Sequence, residues 1–92
     1  MTYGFDRVDR KMQPDKLKAS FGKRIRSLRR VRDLTQEQLA EEVGCSTEYI
    51  SRIERGLVSP SFEILSALAN ALHVEVGALF NFSELASQKS HK

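Results

Sequence analysis

The side chains best suited to recognition chemistry lie together in the run S-T-E-Y-I-S-R-I-E-R-G, from Ser46 to Gly56. If Ile50 and Ile53 form the inner edge of a helix, helical geometry turns Thr47, Glu48, Ser51, Arg52 and Arg55 to its outer side. A face of hydroxyls, a carboxylate and guanidiniums can read flat hydrogen-bonding edges, because a guanidinium spans two neighbouring acceptors and a carboxylate accepts from an amine. Glu48 and Arg52 are also one turn apart, so the carboxylate can instead hold the guanidinium. Spacing alone leaves both roles open. Catalytic chemistry finds no comparable cluster. The sequence has no Gly-rich phosphate loop, no HExxH and no CxxC, and neither His73 nor His91 has a partner at metal-ligand spacing. One Cys excludes an intrachain disulfide framework and a multi-cysteine metal cluster. The expectation is a non-enzyme without metal, cofactor or small-molecule ligand. Cys45, following Gly44, is assigned to packing, since a redox-sensing thiol needs exposure and a lowered pKa. His73 is assigned to the C-terminal dipole of the helix it follows.

Charge is spread unevenly over the 92 residues, whose net balance is only +3. Residues 1–34 carry eleven Lys and Arg against four Asp, while residues 35–92 carry four Lys and Arg against eight Glu. Between Lys16 and Arg32 stand eight basic side chains and no acidic one. Such a separation within one small domain creates a positive field that attracts polyanions, nucleic acid among them. A solvated helix face without a partner fits the same run. An apolar fraction of 40% suffices for one modest core. The apolar runs are too short to cross a bilayer, and the N-terminus lacks the apolar segment of a signal peptide. A soluble, cytoplasmic protein is expected.

Positioning the outward face of 47–55 requires helices, and the pattern supplies them. Leu17, Phe21, Ile25 and Leu28 recur at spacings of four, four and three, giving a first helix over about 16–31 with Asp15 as a candidate N-cap. Lys18, Lys23, Arg26 and Arg30 fall mostly outside this stripe. Thr35 and Gln38 form a capping-box pattern ahead of Leu39, Ala40 and Val43, and Gly44 stands where a helix ends in a left-handed residue. Ser46 caps the third helix and Gly56 closes it. Two short helices joined by a tight Gly-containing turn make a helix-turn-helix, with Ala40 at the closest approach. Pro60 keeps 57–60 a loop, and Ser61 caps a fourth helix over about 62–72. A fifth, short helix covers about 76–80. The fold class is all-α, five helices, with residues 1–15 a flexible arm, 16–82 the domain and 83–92 a polar tail.

The run FGKRIRSLRRVRDLTQEQLAEEVGCSTEYISRIERGLVSPSFEILSALANALHVEVGALF resembles the lambda-repressor-like helix-turn-helix family of the Cro/C1 and XRE type. Its most specific pieces are LTQEQLAEEVG, YISRIERG and P-S-x-E-I-L, in the family's order and spacing. Size and the ERG ending are similar to restriction–modification controller proteins and small phage-type repressors. The resemblance implies a sequence-specific transcriptional regulator of double-stranded DNA that acts as a homodimer, with the third helix in the major groove. It maps base reading onto Thr47, Glu48, Ser51 and Arg52. There Arg52 can span guanine O6 and N7, Thr47 can touch a base or a thymine methyl, and Glu48 can accept from a cytosine amine or orient Arg52. Backbone contacts fall to Gln36 at a helix N-terminus, to Ser46, Tyr49 and Arg55, to Ser59 and Ser61 around Pro60, and to Lys23 and Arg26. Tyr49 either touches phosphate or packs at the rim. Arg29 and Glu54 match a family ion pair that ties the first helix to the third.

A monomer of this size reads only a few base pairs, so a second copy is expected on a pseudo-palindromic site with half-sites roughly 34 Å apart. The expected seam is Val76, Phe80, Phe82 and Leu85, with Leu79 finishing the core. Arg7, Arg10 and Lys11 are candidates for reaching a minor groove, although disorder of the arm is the simpler reading. Glu75 stands where the family places a Ser or Asp cap. Glu48 stands where many relatives carry an amide or a basic side chain, so the operator sequence does not follow from the resemblance. The same fold also serves antitoxins and protein-bridging modules. Against that alternative, the outer face of 47–55 carries Arg52 and Arg55, and 1–15 and 81–92 are short and polar for a toxin-binding segment.

Overall fold

The computed structural model describes residues 13–83. The expectations for the arm at 1–12, including Arg7, Arg10 and Lys11, and for Leu85 and the tail lie outside that range. Four α-helices follow in order: α1 Pro14–Val31, α2 Gln36–Val43, α3 Thr47–Glu54 and α4 Phe62–Leu72. A 3-10 helix, Val76–Phe80, completes the described chain, which contains no strand. The expected fifth α-helix is thus a 3-10 helix. Five residues are too few to close much of an α-helical ladder, Glu75 gives no side-chain cap, and burial of Leu79 holds the turn down.

α1 starts two residues earlier than its apolar stripe suggests. Pro14 occupies the first helical turn, where its missing N–H costs nothing, and Asp15 lies inside that turn rather than capping it. Pro14 and Asp15 therefore belong to the helix and not to the arm. Of the stripe, Phe21 and Ile25 are buried and Leu28 packs against the core, while Leu17 remains partly exposed. Asp33, with φ of 58°, turns the chain out of α1, a left-handed position that Asp tolerates better than most residues.

Each later helix begins on a hydroxyl cap. Thr35 Oγ1 accepts from Gln38 N at 3.0 Å while Thr35 N donates to Gln38 Oε1 at 2.9 Å, a complete capping box. Ser46 Oγ accepts from Tyr49 N at 3.0 Å and Ser61 Oγ from Ile64 N at 3.2 Å. Gly44 ends α2 with φ of 88° and donates its N–H to Ala40 O at 2.8 Å. A Cβ at residue 44 would meet nothing within 4 Å, so the requirement for glycine there is conformational rather than steric. The core gathers Ile25 of α1, Leu39 of α2, Ile50 and Ile53 of α3, Leu68 of α4 and Leu79, all essentially inaccessible to solvent. Burial of each contributes about 1.5–3 kcal/mol before entropy is counted.

The basic run of α1 is not a uniformly solvated face. Arg24 is 2% exposed and donates from Nε to Ala78 O at 2.9 Å, fastening the 3-10 helix to α1. Arg32 Nη1 donates to Ala71 O at 2.6 Å, which ties the end of α1 to the last turn of α4. Arg29 is also largely shielded. These cations hold elements together, leaving Lys16, Lys23 and Arg30 as the exposed basic residues of α1.

Candidate nucleic-acid interface

α3 presents the face its sequence implies. Ile50 and Ile53 are buried, and Thr47, Glu48, Arg52 and Arg55 are exposed, with Ser51 half-buried among them. The polar groups are already interlinked. Arg52 Nε donates to Glu48 Oε2 at 3.0 Å, Arg55 Nη2 lies 4.0 Å from the same oxygen, and Arg55 Nε donates to Ser51 Oγ at 3.2 Å. Tyr49 is half-buried and packs against the core, at the rim.

Behind this face lies a buried charge. The Glu54 side chain has no solvent exposure, yet it receives four hydrogen bonds. Arg29 donates twice, from Nε at 2.6 Å and Nη2 at 3.0 Å, Gln36 Nε2 donates at 3.0 Å, and Arg26 Nε at 3.5 Å. Burial by itself opposes the charge, but the hydrogen bonds and positive charge of Arg29, with Gln36 and Arg26, outweigh it and hold the carboxyl below its ordinary value of 4.5. The Glu54 bond raises the Arg29 guanidinium in turn. Arg29 Nη1 also donates to Leu34 O at 2.8 Å, so one residue spans α1, the following turn and α3.

Two residues assigned to the DNA backbone, Gln36 and Arg26, are therefore engaged with Glu54 in the free chain. Gln36 remains at the first position of α2, and Ser46 and Ser61 are exposed at the starts of α3 and α4. Ser59 is exposed before Pro60, and Lys23 is exposed on α1. Val76 and Phe80 are 46% and 40% exposed, and Phe82 is half-buried. Phe80 stacks at 5.0 Å between centroids on Phe21, and Phe82 lies 6.3 Å from Phe80. Leu79 is fully buried.

Sequence reasoning missed Gly22. A Cβ there would stand 2.4 Å from Ile53 O and 2.6 Å from Glu54 O, so α1 crosses α3 with no room for any side chain. The available signal was a glycine in the middle of an otherwise strong helix, which costs about 1 kcal/mol relative to alanine unless packing requires it. Arg24 was missed as well, because a basic residue among basic residues reads as surface.

Cys45 is partly buried against the core, and burial pushes its thiol up, away from the reactive range. Among the described residues no group of His, Cys, Asp or Glu could hold a metal ion, and no helix is long and apolar enough to cross a membrane.

Comparison with known proteins places this geometry. The chain is 40% identical over 68 residues to the immunity repressor protein of Bacillus phage phi105, covering 74% of this chain and 47% of the repressor. The restriction-modification controller protein C.AhdI from Aeromonas hydrophila has a similar structure, with TM-score 0.66 and 39% identity over 67% of this chain and 94% of that one. Bacillus thuringiensis PlcR, solved in complex with the peptide PapR7 and DNA, matches 79% of this chain and 28% of its own, at TM-score 0.64 and 30% identity. The chain spans about half the length of the curated relatives it matches. The family model described as helix-turn-helix, HTH_3, matches residues 25–79, from the middle of α1 through the 3-10 helix, and the chain belongs to that family.

Proposed function

We propose that this chain is a sequence-specific regulator of transcription that binds double-stranded DNA as a homodimer, with α3 in the major groove of each half-site. The observation that carries the reading is the outward polar face of α3, which is tied to α1 by the Glu54 network and lies among three hydroxyl-capped helix starts. Thr47, Ser51 and Arg52 are the base readers in this reading, with Glu48 either accepting from a base beside them or orienting Arg52. Gln36, Ser46, Ser59 and Ser61, with the free N–H groups of the helix starts, take the phosphates, and Lys23, Arg26, Tyr49 and Arg55 surround them. Similarity to a phage repressor, a controller protein and a protein solved with DNA supports the assignment. A regulator of this kind works in the cytoplasm, on the chromosome.

The second copy is assigned to apolar side chains on and just after the 3-10 helix, the exposed Val76 and Phe80 and the half-buried Phe82, together with Leu85 beyond the described residues. The deciding experiment is selection of bound sequences from a random duplex pool. A recovered pseudo-palindrome with half-sites about one helical turn apart is the expected result. A protein that enriches no sequence and sediments as a monomer at high concentration would rule the reading out and favour a protein-bridging role instead.

A further inference from the structure

Glu48 puts a negative charge on the face assigned to DNA, where it opposes the phosphate backbone. Its side chain is 66% exposed and addresses both cations of that face, at 3.0 Å from Arg52 and 4.0 Å from Arg55. An exposed pair one turn apart adds little to folding, and a carboxylate in the first turn of an eight-residue helix adds only a modest dipole contribution. The geometry offers another reason. The bond uses Arg52 Nε and leaves the two terminal Nη groups, the pair suited to guanine O6 and N7, unengaged by the carboxylate.

We propose that Glu48 is a specificity-determining residue, a fixed charge that weakens binding to duplexes offering only phosphates while it presents Arg52 end-on to a guanine. This rests on the assignment of α3 to the major groove and specifies what that face rejects. On arbitrary DNA, Arg52 and Arg55 meet phosphates with Glu48 beside them, and the shared carboxylate cancels part of their attraction. On the preferred site, the bond made by a correctly oriented Arg52 offsets the repulsion.

The test compares wild type and Glu48→Gln on random duplex and on the selected site across a salt series. Glutamine keeps the length and an acceptor for Arg52 Nε but removes the charge. Affinity for random duplex is expected to rise roughly three- to tenfold at low salt, with a steeper salt dependence. Affinity for the selected site should change less, so that the ratio of the two falls. Thermal unfolding checks that the variant is folded, and Glu48→Ala, which also removes the acceptor, should lose affinity for the selected site as well. Equal changes on both duplexes, or no gain on random duplex, in a protein that still prefers its site would overturn the role of Glu48 alone. A wild-type protein with no sequence preference would instead defeat the assignment of α3 to base reading, and the specificity role with it.

Discussion

Glu54 carries its charge without contact with water and is tolerable only because Arg29, Gln36 and Arg26 converge on it. Removing one side of such a pair leaves an uncompensated buried ion, so Arg29→Ala is expected to cost about 3–5 kcal/mol in denaturant unfolding. The pair also sets the acid response. The folded carboxyl titrates below its ordinary value of 4.5, so its contribution is complete above that pH and is lost as pH falls through the folded pKa. Wild type should lose melting temperature below about pH 4.5, whereas Glu54→Gln should start lower at neutral pH and show a shallower acid decline over that window. Arg52→Ala separates reading from holding. It should weaken binding to the preferred site by ~1–3 kcal/mol, relax preference at one base and leave melting nearly unchanged. Equal losses on preferred and random duplexes would rule out base reading by Arg52. Gln36→Ala should weaken all duplexes alike and, because its amide supports Glu54, lower the melting temperature too.

Glycines that look alike in sequence do different work within their elements. At Gly22 helix propensity favours alanine by about 1 kcal/mol, but the added Cβ would press on two backbone carbonyl oxygens of α3, and neither can swing aside. Packing wins, and Gly22→Ala is expected to destabilise by about 2–3 kcal/mol or more on chemical denaturation. Gly44→Ala meets open space and should cost only about 1 kcal/mol, the strain of a left-handed alanine. The capped helices were legible because hydroxyl caps and Gly44 act locally, within three or four residues of the groups they satisfy. The closing element was harder: five apolar-rich residues without a cap look alike as α and 3-10, and only docking of Leu79 separates them. The outward face of α3 was readable from Ile50 and Ile53 alone. The engagement of Gln36 and Arg26 with Glu54 was not, since their separations of 18 and 28 residues along the chain leave no periodic trace.

At the scale of the molecule, α1 does more than contribute a charged face. It meets α3 at Gly22 and through Arg29, meets α4 through Arg32, and meets the 3-10 helix through Arg24 and Phe21. A basic run that composition alone would assign wholly to a polyanion thus spends four of its arginines, Arg24, Arg26, Arg29 and Arg32, on internal carbonyls and a carboxylate. The proposed association can be tested without disturbing this frame. Val76 is 46% exposed, so Val76→Glu should shift sedimentation toward monomer and weaken operator binding, lowering melting only by the loss of the stabilisation that association supplies. Phe80→Ala should do the same and also lower stability by about 1 kcal/mol, because it breaks the stack on Phe21.

Arg24 grips the 3-10 helix only two residues along α1 from the Gly22 crossing. The surface proposed for a second chain and the surface proposed for a duplex are thus both fastened to α1. In a symmetric pair this works as a calliper locked at a single opening. Inserting one base pair between half-sites, a shift of roughly 3.4 Å, would have to be absorbed by distorting the DNA, and the sites recovered by selection should therefore share one spacing.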